Sequence, residues 1–70
     1  MFLQNERYRV VYIVDKANYT TGEIEGKFLE TQNIGKNVWW IFEIKSKSFK
    51  SGYKRVSIPE NYILRYQRVK

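Results

Sequence analysis

The 70-residue chain contains no cysteine, no histidine and only one proline. Without cysteine there are no disulfide bonds, thiol nucleophiles or thiolate metal ligands, and without histidine the most common general base is missing. We therefore expect a protein that is not an enzyme and that has no cofactor, no metal ion and no small-molecule substrate. Because small secreted domains usually depend on disulfides, the missing cysteines also favour a cytoplasmic protein.

Long hydrophobic runs are missing as well. The run from Val38 to Phe42 has five residues and no run is longer, whereas a membrane-spanning helix needs about 18 or more. The first residues of the chain do not show a cationic leader followed by an apolar stretch. We therefore expect neither export nor contact with a membrane.

Apolar and aromatic residues are abundant, since they make up 43% and 17% of the chain. A disordered chain with this charge would contain few aromatic and β-branched residues. A chain of this length forms at most one domain, and it needs a dense core to offset the entropy of folding. The composition therefore predicts a single folded domain over residues 1–70, with its net charge of +6 on the surface.

Five short segments alternate between apolar and polar residues, as strands do. They are residues 7–14, 23–29, 38–45, 53–58 and 62–69, and the polar stretches 15–22 and 32–37 are predicted to be loops. No segment has the helical period over a length that would form a major helix. The pattern predicts an all-β protein, a five-stranded small barrel that is closed or half-closed.

Single positions in these segments refine the prediction. Gly26 interrupts the second strand, and a glycine there often marks a bulge or a sharp bend. In the third strand the alternation places Trp39 and Trp40 on opposite faces. We expect Trp40 to lie in the core and Trp39 to be at least partly exposed.

The order of these signals over residues 22–64 resembles that of SH3-like barrels. The matching residues are Gly22-Glu23, Trp39-Trp40, Gly52-Tyr53 and Ile58-Pro59-Glu60-Asn61-Tyr62-Ile63. The resemblance implies a five-stranded SH3-like small barrel in which the Pro-x-Asn-Tyr segment forms a 3₁₀ turn before the last strand. It also implies a groove that binds an extended proline-rich peptide. The floor of that groove would be formed by Tyr12, Trp39, Pro59 and Tyr62.

Charge is distributed unevenly along the chain. Residues 1–35 hold four basic and five acidic side chains, whereas residues 36–70 hold nine basic and two acidic ones. The densest basic stretch is residues 45–55, with five basic residues, two aromatic residues and no acid. Lysine and arginine bind phosphates with release of counterions, and stacking of a base on an aromatic ring contributes roughly 1 to 3 kcal/mol.

The segregated charge favours a protein that binds nucleic acid, DNA or RNA, with little base specificity. The residues predicted to contact it are Trp39, Lys45, Lys47, Phe49, Lys50, Tyr53, Lys54 and Arg55. The cations near the end of the chain, Arg65, Arg68 and Lys70, would extend this surface. An alternative interpretation is a solvated hairpin whose lysines prevent strands of other molecules from pairing with it.

A second alternative is a protein-interaction module that binds a peptide or a partner surface, as a small phage-type accessory or inhibitor protein would. Its binding residues would be Tyr12, Trp39, Pro59 and Tyr62, although Pro59 and Tyr62 could also serve only to close the barrel. Glu23 and Glu25 are the closest pair of carboxylates, and both lie on the polar side of their strand. Because solvent should keep their pKa values ordinary, we expect this pair to be structural rather than catalytic.

Overall fold

A computed structural model describes residues 2–46, 50 and 52–69 of the chain. The elements are β1 (Arg7–Asp15), β2 (Thr20–Ile34), β3 (Asn37–Lys45), β4 (Tyr53–Pro59), a 3₁₀ turn (Glu60–Tyr62) and β5 (Ile63–Val69). The prediction of an all-β protein with five strands is confirmed. In this described part of the chain, no helix is long and apolar enough to cross a membrane.

All five strands belong to one antiparallel sheet, in the order β4-β3-β2-β1-β5. Strands β1 to β4 pair consecutively, and β5 returns to pair with the free side of β1. Strands β4 and β5 are therefore the two edges, and the sheet is not closed.

Strand β2 is much longer than predicted, with 15 residues. It begins inside the predicted loop 15–22 and extends into the predicted turn 32–37, so both predicted loops are too long. Its first part pairs with β1 and its second part pairs with β3, and Lys27 pairs with both neighbours. The polar residues at its ends remain in the strand because a neighbouring strand satisfies their backbone groups, which outweighs their weak strand propensity.

Strand β2 is irregular near the point where it changes partner. The register with β3 shifts between Phe28 and Glu30, which identifies Leu29 as the extra residue of a β-bulge. At Gly26, a Cβ atom would lie 2.7 Å from the carbonyl oxygen of Glu43. The glycine is therefore needed for a close backbone approach, and the predicted bulge lies slightly further along the strand.

The core consists mainly of aromatic side chains. Its buried residues are Phe2, Tyr8, Val10, Phe28, Phe42 and Ile58. Phe2 comes from the segment before β1, and its ring centroid lies 4.8 Å from that of Tyr8 and 5.2 Å from that of Phe42. Backbone hydrogen bonds hold this segment in place, since the Asn5 N–H donates to the Phe28 carbonyl at 2.8 Å. The sequence alone did not identify Phe2, because the segment lacks the alternation of a strand.

The two tryptophans of β3 face opposite sides of the sheet. Trp40 is half-buried and packs against the core, with its ring centroid 4.8 Å from that of Phe2 and 5.4 Å from that of Phe28. Trp39 is half-buried on the other side of the strand. The predictions that the two rings lie on opposite faces and that Trp39 is partly exposed are confirmed, whereas Trp40 is half-buried and packs against the core instead of lying within it.

Candidate binding surfaces: an aromatic groove and a cationic hairpin

The four residues predicted to form a peptide-binding floor lie around one groove, which we call the aromatic groove. Its volume is about 280 Å³, and its lining is Tyr12, Ile13, Val14, Trp39, Ser57, Ile58, Pro59 and Tyr62. No charged side chain is among these residues. The groove therefore offers a mostly apolar surface with hydroxyl groups at a few points.

Strand pairing and the 3₁₀ turn bring the groove residues together. Trp39 in β3 is the direct cross-strand partner of Pro59, the last residue of β4. Since proline has no N–H to donate, β4 ends there and the chain enters the 3₁₀ turn that contains Tyr62. The next residue, Ile63, pairs with Tyr12 of β1, so the turn delivers Tyr62 beside Tyr12.

The indole N–H of Trp39 is a buried donor without a hydrogen-bond partner among the described residues. A tryptophan nitrogen can only donate, and leaving such a group buried and unsatisfied costs about 1 to 3 kcal/mol. By contrast, the indole N–H of Trp40 donates to the Glu60 carboxylate at 3.3 Å. A ligand that brings a hydrogen-bond acceptor into the groove would satisfy the Trp39 N–H.

Gly22 supports one wall of the aromatic groove. It is paired with Tyr12, and a Cβ atom at this position would lie 2.7 Å from Cγ2 of Val14 and 3.5 Å from the Tyr12 hydroxyl. A larger residue at Gly22 would therefore displace the Val14 side chain, whereas its Cβ would make only ordinary van der Waals contact with the Tyr12 ring.

The loop after β1 places a cation near the groove. The Asp15 carboxylate accepts hydrogen bonds from the Ala17 N–H at 3.0 Å and from the side-chain amide of Asn18 at 2.9 Å. These two bonds order the loop that carries Lys16, whose Nζ lies 6.0 Å from the centroid of the Tyr62 ring. A cation at this distance is at the outer limit of a cation–π contact.

The predicted nucleic-acid residues lie mainly on the β3–β4 hairpin. We call the exposed residues Lys45, Lys50, Tyr53, Lys54 and Arg55 the cationic hairpin. Lys45 pairs with Tyr53, and the register places Arg55 on the same side of the hairpin and Lys54 on the other. Two further predicted residues, Lys47 and Phe49, lie outside the described residues.

Other predicted nucleic-acid residues lie away from the cationic hairpin. Trp39 is near the opposite end of β3 and belongs to the aromatic groove, which places it about 20 Å along the strand from Lys45. Arg65 and Arg68 are exposed on β5, at the other edge of the sheet from β4. Lys70 is outside the described part of the chain.

Acidic side chains pair selectively with the basic residues of β1 and β2. The ion pairs are Arg7–Glu25, Arg9–Glu23 and Arg9–Glu25, each at 3.2 Å, and Lys27–Glu43 at 3.8 Å. Within residues 2–46, 50 and 52–69, the four cations of the cationic hairpin have no ion pair. The four described cations of the cationic hairpin are therefore available on the surface.

The environment of Glu25 differs from the sequence expectation. Hydrogen bonds from Arg7 and, second, from Arg9 lower the pKa of Glu25 below its ordinary value, so the expectation of an ordinary pKa is wrong for this residue. A lowered pKa keeps the carboxylate ionised at neutral pH, which is unsuitable for a general acid. The ion pairs of Glu25 thus connect β2 to β1 on an exposed face of the sheet.

Comparison of the chain with protein-family models, curated proteins and solved structures gave no match. Its function is therefore inferred from its own residues and their geometry.

Proposed function

We propose that this protein is a non-catalytic binding module with an SH3-like barrel fold, and that its aromatic groove binds an extended peptide segment of a partner protein. The observation that carries this proposal is the convergence of Tyr12, Trp39, Pro59 and Tyr62 on one groove. These residues come from β1, β3, β4 and the 3₁₀ turn, and they are the residues that the resemblance to SH3-like barrels implies.

The fold features support the SH3-like assignment. The Pro-x-Asn-Tyr segment forms a 3₁₀ turn that leads into the last strand, as the resemblance implies. Strand β2 is shared between β1 and β3, and residues from both parts of the sheet contribute to a single core.

The chemistry of the aromatic groove suits a proline-rich ligand. A polyproline II segment is already extended in the free state, so it loses little entropy when it packs against flat aromatic rings. Its backbone carbonyls have no internal hydrogen bonds and are free to accept one. The Trp39 N–H lacks an acceptor among the described residues, and a peptide carbonyl that reached it in the groove would supply one.

A peptide panel tests the proposal. Short peptides that carry Pro-x-x-Pro are titrated against the full chain, each beside a control in which the prolines are replaced by alanine. Binding is followed by the NMR signals of the two indole N–H groups. We expect proline peptides to shift the Trp39 signal and to leave that of Trp40 nearly unchanged. If no peptide shifts the Trp39 signal, the proposal is wrong.

Two groove variants separate ring contact from hydrogen bonding. Tyr62→Ala removes a ring and should weaken binding by at least about tenfold, as truncation of a central aromatic residue usually does. Trp39→Phe keeps an aromatic ring but removes the donor and part of the ring surface, so it should weaken binding less than Tyr62→Ala. Arg55→Gln on the cationic hairpin is the matched control, and it should bind the peptide as the parent protein does.

A further inference from the structure

We infer that the cationic hairpin is a second, independent site that binds single-stranded nucleic acid, and that the Lys27–Glu43 ion pair sets its affinity by holding Glu43 away from Arg55. This inference does not depend on peptide binding in the aromatic groove. It rests on how the structure distributes ion pairs and on which side chains share one side of the hairpin.

The ion pairs of the sheet neutralise some cations and leave others unpaired. Glu23, Glu25 and Glu43 form ion pairs with cations of β1 and β2 only. The described cations of the hairpin are exposed and have no acidic partner. A surface of unpaired lysine and arginine is the arrangement that binds phosphates with release of counterions.

The aromatic ring of Tyr53 lies next to two of these cations, Lys45 and Arg55. Tyr53 is 46% exposed and lies directly opposite Lys45, and Arg55 follows it on the same side of β4. Directly opposed side chains have Cβ atoms about 5 Å apart, and alternate residues of a strand are about 6.6 Å apart. The ring is thus within reach of a base whose phosphates contact the two cations. Bases are accessible for such stacking in single strands, which favours them over duplex.

Glu43 is an acidic residue that pairs across the strands with a cation of the hairpin. The register makes Glu43 the direct partner of Lys27 on one side and of Arg55 on the other. Its carboxylate lies 3.8 Å from Nζ of Lys27 and forms no ion pair with Arg55. Pairing with Arg55 would neutralise a hairpin cation and repel an incoming phosphate. Lys27 is therefore a positioning residue that leaves Arg55 available.

A salt series tests the surface itself. Fluorescein-labelled oligo(dT) and oligo(U) are titrated with the full chain, beside a duplex of the same length. We expect the logarithm of the affinity to fall linearly with the logarithm of the salt concentration. The double variant Lys54→Gln/Arg55→Gln should reduce the slope by about two contacts, and Tyr53→Ala should weaken single-strand binding by at least about fivefold.

The control variant is Ile34→Ala, which changes an exposed residue that pairs with Asn37 at the opposite end of β3 from Lys45, and it should bind oligonucleotides as the parent does. If the double glutamine variant binds as tightly as the parent at every salt concentration, the hairpin is not a nucleic-acid site. If duplex binds more tightly than the single strands and Tyr53→Ala, still folded by circular dichroism, binds like the parent, the inferred single-strand site is overturned.

A double-mutant cycle tests the role of Lys27. If Lys27 acts by holding Glu43, Lys27→Gln should weaken binding several-fold in the parent and have no effect in the Glu43→Gln background. A direct phosphate contact by Lys27 would instead give the same loss in both backgrounds, and that result would overturn its positioning role. Glu43→Gln alone should not weaken binding, since Arg55 then has no acidic neighbour in register.

Discussion

Trp39 is the direct cross-strand partner of Pro59, and the next pair along the same two strands is Trp40 with Ile58. The first pair lines the aromatic groove and the second pair packs in or against the core. The two adjacent tryptophans thus have different surroundings because successive side chains of a strand point to opposite faces. This separation lets stability and binding be tested by substitution of neighbouring residues.

Trp40→Ala should strongly destabilise the protein, whereas Trp39→Phe should not. Trp40 packs against Phe2 and Phe28, and its truncation should lower the free energy of unfolding by about 3 to 5 kcal/mol. Trp39→Phe removes an unsatisfied buried N–H, so stability should stay the same or rise. Urea unfolding followed by circular dichroism measures both, and equal losses would contradict the assignment of Trp40 to the core.

Phe2→Ala should destabilise the protein although the residue precedes the first strand. Its ring is 8% exposed and stacks within the aromatic core, so we expect a loss of about 3 kcal/mol or more in the free energy of unfolding. The neighbouring Leu3 is 57% exposed and provides the control. Leu3→Ala should change the unfolding midpoint little, and a similar loss for both variants would argue against a specific role of Phe2.

Gly26→Ala should cost more stability than Gly22→Ala. The added methyl group at Gly26 meets a backbone carbonyl of β3 at 2.7 Å, so the two strands must separate, with an expected loss of about 1 to 3 kcal/mol. At Gly22 the nearest atom belongs to the exposed Val14 side chain, which should shift without separating two strands. Thermal unfolding of the two variants measures the difference, and the reverse order would show that β2 and β3 tolerate separation at Gly26.

Stability should decrease in acid partly because of Glu25. Hydrogen bonds from Arg7 and Arg9 lower the pKa of Glu25 in the folded state, so the unfolded chain binds a proton more readily. The contribution is therefore present above the pKa of the unfolded chain, and it is lost as the pH falls through the lower pKa of the folded state.

Glu25→Gln tests this dependence, because glutamine does not titrate. The variant should lose less stability than the parent between neutral and acidic pH, as measured by urea midpoints across that range. Since Glu25 is exposed, high salt should reduce the difference between the two proteins. Identical acid profiles at low salt would show that the Arg7 and Arg9 contacts do not stabilise the folded state.

Loss of charge on the cationic hairpin should leave stability unchanged. Lys54 and Arg55 are exposed and have no ion pair within the described residues, and such charges contribute little to folding. The double variant Lys54→Gln/Arg55→Gln should therefore have the melting temperature of the parent to within a few degrees. A large decrease would indicate that these cations stabilise the fold and would weaken their assignment to binding.

The sequence alone determined the strand class and the position of most strands. The alternation in residues 7–14, 38–45 and 53–58 is a local steric property, because side chains of an extended chain point to the two faces in turn. The same property separated Trp39 from Trp40. The lone proline marked the end of β4 because proline cannot donate to a ladder, whatever its neighbours are.

Only the tertiary structure decided which distant residues meet. The length of β2 depended on the hydrogen-bonding groups that β1 and β3 present to it, and the burial of Phe2 depended on the space between β2, β3 and β5. The partition of ion pairs, with Glu43 beside Lys27 rather than Arg55, likewise depended on cross-strand contact. Local periodicity does not encode these contacts. Several distant residues compete as partners for each position, and only the packed sheet determines which of them pair.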